Sequence, residues 1–146
     1  MILRVILRSL LLLSLASLVL HSYSAETPKP GSPDRKAILD ALRVPVQKEI
    51  GFPVVFRISH LKIKDNWAFL KGQPRTKDDK PIDYSKTSLD EEARTADELL
   101  VAVLKKTDGR WRVVEHAIFT TDVWWHGIHE RLGAPAEIFD YSDSPD

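Results

Sequence analysis

Apolar positions fall into two rhythms along the chain, and the change between them divides it. From Ile38 they recur every four residues (Ile38, Leu42, Val46), with Leu39, Ala41 and Ile50 beside them, which is one face of a helix. Ser32-Pro33-Asp34 opens that helix: serine caps, proline suits the first helical position, and the carboxylate meets the positive end of the dipole. Pro45 lacks an N–H and its ring strikes the carbonyl of Ala41, so a kink or restart is predicted there, with Gly51 as the stop.

From Phe52 the period becomes two. Phe52, Val54, Phe56 and Ile58 point one way; Leu61 and Ile63 follow with a slip of one position. One extra residue near Ser59-His60, a β-bulge, restores both sets to a single face. Asp65-Asn66 makes a turn into a second strand, Trp67 to Lys71, with Trp67 and Phe69 on one side. Glu98 to Lys106 is a third strand, apolar on both faces and therefore central or covered. Asp108-Gly109 is a strong hairpin signal leading into a fourth strand, Arg110 to Thr120. There Trp111, Val113, Ala117 and Phe119 alternate against Arg112, Val114, His116 and Ile118.

Between the second and third strands lies a polar excursion, residues 73–97, longer than most connections in a small domain. Ser88 and Glu91 have capping-box spacing, which predicts a short helix over Leu89 to Ala96. A second helix is predicted from Val123, capped by Asp122, with Trp124, Trp125, Ile128 and Leu132 as its buried stripe. Gly133 is its left-handed stop, and Pro135 prevents continuation. Residues 140–146 read as a disordered acidic tail, residues 25–31 as a Pro/Gly linker with nothing to bury, and residues 32–139 as one domain.

The simplest packing of these elements is α+β: an N-terminal helix across one face of a curved four-stranded antiparallel sheet, with a C-terminal cover helix. This order resembles the cystatin-like and NTF2-like architecture. The stretches Pro33–Arg43, Trp67–Gly72, Gly109–Val114 and Gly133–Pro135 resemble a family of small exported bacterial proteins of unknown function. The resemblance spans most of the chain beyond residue 24 and brings no catalytic motif with it.

The first 24 residues have their own logic. Arg4 and Arg8 precede an apolar run, Leu10 to Leu20, and a small polar exit follows. That is the layout of a secretory signal peptide cut after Ser24, and the run is shorter than the roughly 20 apolar residues of a spanning helix. A periplasmic or secreted location follows as an expectation. With no cysteine, the remaining residues, about 120 of them, must be stabilised by their core alone. Taking Arg4 and Arg8 from 21 Lys and Arg leaves 19 against 21 Asp and Glu, a net charge near −2. That balance argues against a nucleic-acid partner, and against a membrane surface once the leader is gone.

Chemical candidates are few. Asp122, His126 and His129 have i, i+4, i+7 spacing, which on a helix gathers three metal ligands; the same segment also serves as a plain cover helix. His60 and His116 lie on strands, and either could form a general acid–base pair with Asp83 or Asp122 in a pocket between helix and sheet. Trp67 and Trp111 near the hairpin turns, with Asp83 and Tyr84 in the excursion, are candidates for ligand or partner contact. The chain has no G-x-S-x-G, H-E-x-x-H or phosphate-cradling glycine loop, and no cofactor is implied. The sequence therefore favours a non-enzymatic binding module for a periplasmic protein or small ligand, possible as a homodimer through an open sheet face, over a small NTF2-like enzyme.

Overall fold

The first described helix, α1, runs Pro33–Ile50 in the computed structural model, which describes residues 24–120 and 124–139. Ser32 Oγ accepts the Arg35 N–H at 3.4 Å, and Gly51, at φ 92°, ends the helix by donating to the Gln47 carbonyl. The helix is unbroken at Pro45. A proline there costs about 3 kcal/mol, but Leu42, Val46 and Ile50 on either side are buried. Each contributes roughly 1.5–3 kcal/mol, which outweighs one missing hydrogen bond.

Four antiparallel strands follow in sheet order β1-β2-β3-β4: β1 Val55–Lys64, β2 Trp67–Arg75, β3 Leu100–Thr107 and β4 Arg110–Ala117. The connections β1–β2 and β3–β4 are two-residue turns with both residues at positive φ: Asp65 (49°) and Asn66 (65°), Asp108 (51°) and Gly109 (71°). Such turns match the twist of the flanking strands. The predicted bulge is present, since the β1–β2 register shifts between Ile58 and His60. β2 is longer than predicted and buried on both faces, so it is central together with β3. β4 departs from simple alternation: Val103 pairs with Glu115 and Leu104 with Val113, leaving Val114 as an extra residue. His116 consequently pairs with Ala102 and shares the helix-facing side with Trp111 and Val113.

α1 seals that first face. Ile38, Leu42, Val46 and Ile50 meet Leu61, Ala68, Leu70, Leu100, Ala102, Leu104 and Trp111 in one apolar cluster. The second face is covered by the C-terminal segment, where Trp125, Ile128, Ala134, Ile138 and Phe139 lie over Trp67, Phe69, Val101 and Val103. Both faces of β2 and β3 therefore carry a packed cluster of described residues. The cover is less helical than predicted. Residues 124–127 are turns, and the helix α3 spans only Ile128–Leu132, preceded by Gly127 at φ 70° and ended by Gly133 at φ 69°. Glycine at φ 70° is a conformational break that a helix from Val123 would have to pass, and it starts α3 late. Asp122, Val123 and the tail 140–146 lie outside the described residues, as does the leader up to Tyr23.

The presumed linker is structural. Glu26 exchanges both backbone hydrogen bonds with Ile63 (3.0 and 2.8 Å), Pro28 is buried, and Ala25 packs on the second-face cluster. Residues 25–31 thus form a strap over the outer edge of β1. In the excursion, the short helix α2 is Asp90–Thr95; Leu89 rather than Ser88 is its N-cap, with no side-chain capping bond, and Thr87 Oγ1 accepts the Leu89 N–H at 3.1 Å. No helix among the described residues is long and apolar enough to cross a membrane.

Candidate functional site

The candidate residues are scattered over both faces of the sheet. His60 stands on the covered face: its Nε2 is 2.8 Å from the Ile138 carbonyl and its ring lies 5.5 Å from that of Phe69. His116 stands on the helix face, against neither Asp83 nor a described partner from the excursion. Its Nε2 meets the carboxylate of Glu49 in the last turn of α1. The bulge at Val114 is what turns His116 towards α1. Glu49 gave no signal in the sequence, being 67 residues away.

Asp83 is exposed and occupied locally. Its carboxylate accepts the Ser85 hydroxyl at 2.6 Å and the Ser85 N–H at 3.2 Å, with Lys86 at 3.0 Å, and these bonds hold its pKa below the usual carboxylate range. The carboxylate thereby caps a single 3-10 turn, Tyr84–Lys86. Tyr84 is not at a solvated loop tip. It is buried in the first cluster, edge-on to Phe119 at 4.9 Å, and its hydroxyl donates to Glu98 Oε1 at 2.9 Å. Burial pushes the phenol up, and the adjacent carboxylate adds to the shift. Burial also raises the pKa of Glu98, against the opposing pull of the Tyr84 hydrogen bond and the Arg75 charge. Ile82 and Tyr84 anchor the excursion to the core.

Both tryptophan candidates have committed rings. Trp67 is buried, with Lys105 Nζ 4.7 Å above its centroid. Trp111 is buried too; its indole N–H donates to Asp34 Oδ1 at 2.8 Å, and Lys106 Nζ lies 5.7 Å from its centroid. Each ring thus has a lysine ammonium beside it and little exposed surface. His126 is exposed in the 124–127 turns, and His129 on α3 lies 6.1 Å from the Phe139 ring and 3.9 Å from Glu130. The helical spacing that would gather Asp122, His126 and His129 is absent across Trp124 to Gly127, and Asp122 is outside the described residues. Among the described residues no three His, Cys, Asp or Glu side chains converge as a metal site.

A different site assembles at the end of the sheet where the two tight turns lie. The strap, the first turn of α1, Ile63 and Lys106 line a cleft of about 440 Å³, and a smaller one of about 160 Å³ continues past Lys64, Asp65, Asn66 and Trp111. Asp34 is its organising group. Its Oδ1 accepts from Trp111 Nε1 and from Lys106 Nζ at 2.9 Å, and these two bonds lower its pKa. The carboxylate that reads as a helix-dipole residue therefore also ties α1 to β3 and β4. Nothing in the sequence links Asp34 to residues more than 70 positions away; only the fold brings them together. Glu26, Lys29 and Lys106 give the cleft charge of both signs, which suits a polar ligand.

No family model matches this chain, and neither does any curated protein or solved structure.

Proposed function

We propose that the protein is an exported, non-enzymatic binding or accessory module on a cystatin-like or NTF2-like α+β frame, released by cleavage after Ser24. The supporting observation is the filled space between α1 and the sheet. In an NTF2-like enzyme that space would hold substrate; here Ile38, Leu42, Val46, Leu70, Leu100 and Leu104 occupy it with no exposed surface at all. The groups suited to acid–base work stand apart: His60 is on the opposite face from His116, and Asp83 is spent on a cap. Binding then falls to the outer surfaces of the turn end, including the strap cleft. The strap also suits the proposed cut, because Ala25, the first residue left, already packs on the core.

One observation favours the second reading, an acid–base enzyme: His116 and Glu49 form a hydrogen-bonded imidazole–carboxylate pair. That pair alone lacks a described substrate pocket, and binding remains the better-supported reading.

Mass measurement of the protein from the envelope fraction tests the exported half: the N-terminus should be Ala25. Capture of the exported protein from its own envelope tests the other half: one stoichiometric partner is expected. An intact leader in the cytoplasm overturns the first, and an empty capture overturns the second.

A further inference from the structure

The near-neutral composition conceals a segregation of charge. Register places Lys64 opposite Trp67, Trp67 opposite Lys105, and Lys105 opposite Arg112, so these four residues form one line straight across the sheet. The contact of Lys105 with the Trp67 ring puts the line on the face away from α1. Lys105 and Arg112 are exposed, as is Arg110 two pairs nearer the turn, while Lys62 is half-buried two residues along β1 from Lys64. Lys64 is held by Glu137 at 2.5 Å; Lys62, Arg110 and Arg112 have no side-chain partner among the described residues. Neighbouring strands are about 4.8 Å apart, so cations recur at roughly 5 and 10 Å across the line.

A surplus of acid stands at the other end. Between Arg75 and Leu100, where the chain leaves β2 and enters β3 at the end remote from the turns, Asp78, Asp79, Asp83, Asp90, Glu91, Glu92, Asp97 and Glu98 stand against Lys77, Lys80, Lys86 and Arg94, a surplus of four acids. The eight residues of β3 separate the two ends by roughly 25 Å. That is some three Debye lengths at physiological salt, so the far acids do not cancel the near cations.

We infer that this line of cations is a docking surface for a linear acidic glycan laid across the strands. The choice among polyanions follows from what flanks the line. A nucleic acid would want open rings for its bases, and Trp67 is buried beneath Lys105. A flat anionic bilayer meeting this end would first touch Asp65 and Asp108, exposed at the turn tips. The exposed large apolar side chains among the described residues, Val44 and Val114, lie on α1 and at the β4 bulge and form no insertion patch. A thin chain with acidic groups at sugar-scale intervals avoids the tips and meets the cations in sequence. Preference for a glycan rests on the exported reading above; the line of cations does not.

Calorimetric titration of the purified protein with heparin and with a polyuronate tests the assignment. Binding is expected to both, weakening on the order of 20-fold between 50 and 200 mM salt if about three charges are neutralised. The double reversal Lys105→Glu with Arg112→Glu should weaken it at least tenfold, and the milder Lys105→Gln with Arg112→Gln should give an intermediate loss with an unchanged thermal midpoint. Lys77→Glu with Lys80→Glu, in the excursion, should bind like the parent. Undiminished affinity in both turn-end double variants overturns the proposal, as does tighter binding of single-stranded DNA or of anionic phosphatidylglycerol vesicles than of either glycan. Loss of glycan binding in an exported protein sinks the surface alone, whereas a DNA preference in an unexported one sinks both readings.

Discussion

At the scale of single residues, Gly72 and Asp34 show how much can rest on one side chain or its absence. Gly72 sits opposite Ile58, where β1 bulges. A Cβ there would lie 2.5 Å from the Arg57 carbonyl oxygen and 3.2 Å from the Ile58 Cα, both backbone atoms that cannot swing aside. Glycine is what lets the bulged strand approach so closely. Gly72→Ala should destabilise by about 1–3 kcal/mol, through strain like that of an overpacked core, read as a lower urea midpoint. Asp34 works by charge. Its folded pKa is depressed by Trp111 and Lys106, so its contribution is present above the ordinary aspartate pKa near 4. It is lost as pH falls through the lower, folded value. Asp34→Asn should cost about 1 kcal/mol at pH 7, the low end for a charged hydrogen bond because the carboxylate is partly exposed. The gap between variant and parent should narrow in urea titrations as pH falls below the ordinary aspartate value. A gap that persists in acid would assign the effect to packing.

At the scale of elements, what could be read from the sequence was whatever is local. The Ser32 cap, the Gly51 and Gly133 stops, the bulge after Ile58 and both two-residue turns depend on neighbours within a few positions, and all are found. Elements set by distant partners were not readable. The strap forms because Glu26 finds the free edge of β1 at Ile63, a pairing that no local pattern announces. The second bulge hides in Val113-Val114-Glu115, where two adjacent valines fit either face. The cover shows the same split: its buried stripe of Trp125 and Ile128 was legible, but the turns over 124–127 in place of a helix were not, because tertiary burial overrides the local period. Trp125 carries much of that burial, 5.8 Å from the Phe69 ring and beneath Lys71. Trp125→Ala should cost roughly 3–5 kcal/mol, as for other fully buried tryptophans, measured by chemical denaturation. A cost under about 1 kcal/mol would mean that the second face is not held by this segment.

At the scale of the whole molecule, composition and arrangement carry different information. A net charge near zero is a sum, and the sum discards the separation of cations at the turn end from acids in the excursion. The partners of the candidate histidines were hidden for a related reason. Each histidine was visible, but its partner was set by topology: His116 found Glu49 across α1, and His60 found a backbone carbonyl of the cover.

The cover has a consequence for how the molecule comes together. Its ties to β1, His60 with Ile138 and Lys64 with Glu137, join positions 78 and 73 apart in the chain, and closures of that length are slow. Any copy that has not yet laid down this last segment shows a bare slab of Trp67, Phe69, Val101 and Val103. The unfinished molecule is thus the sticky one. Yield is governed by how briefly that slab stays naked, more than by how tightly the finished fold holds.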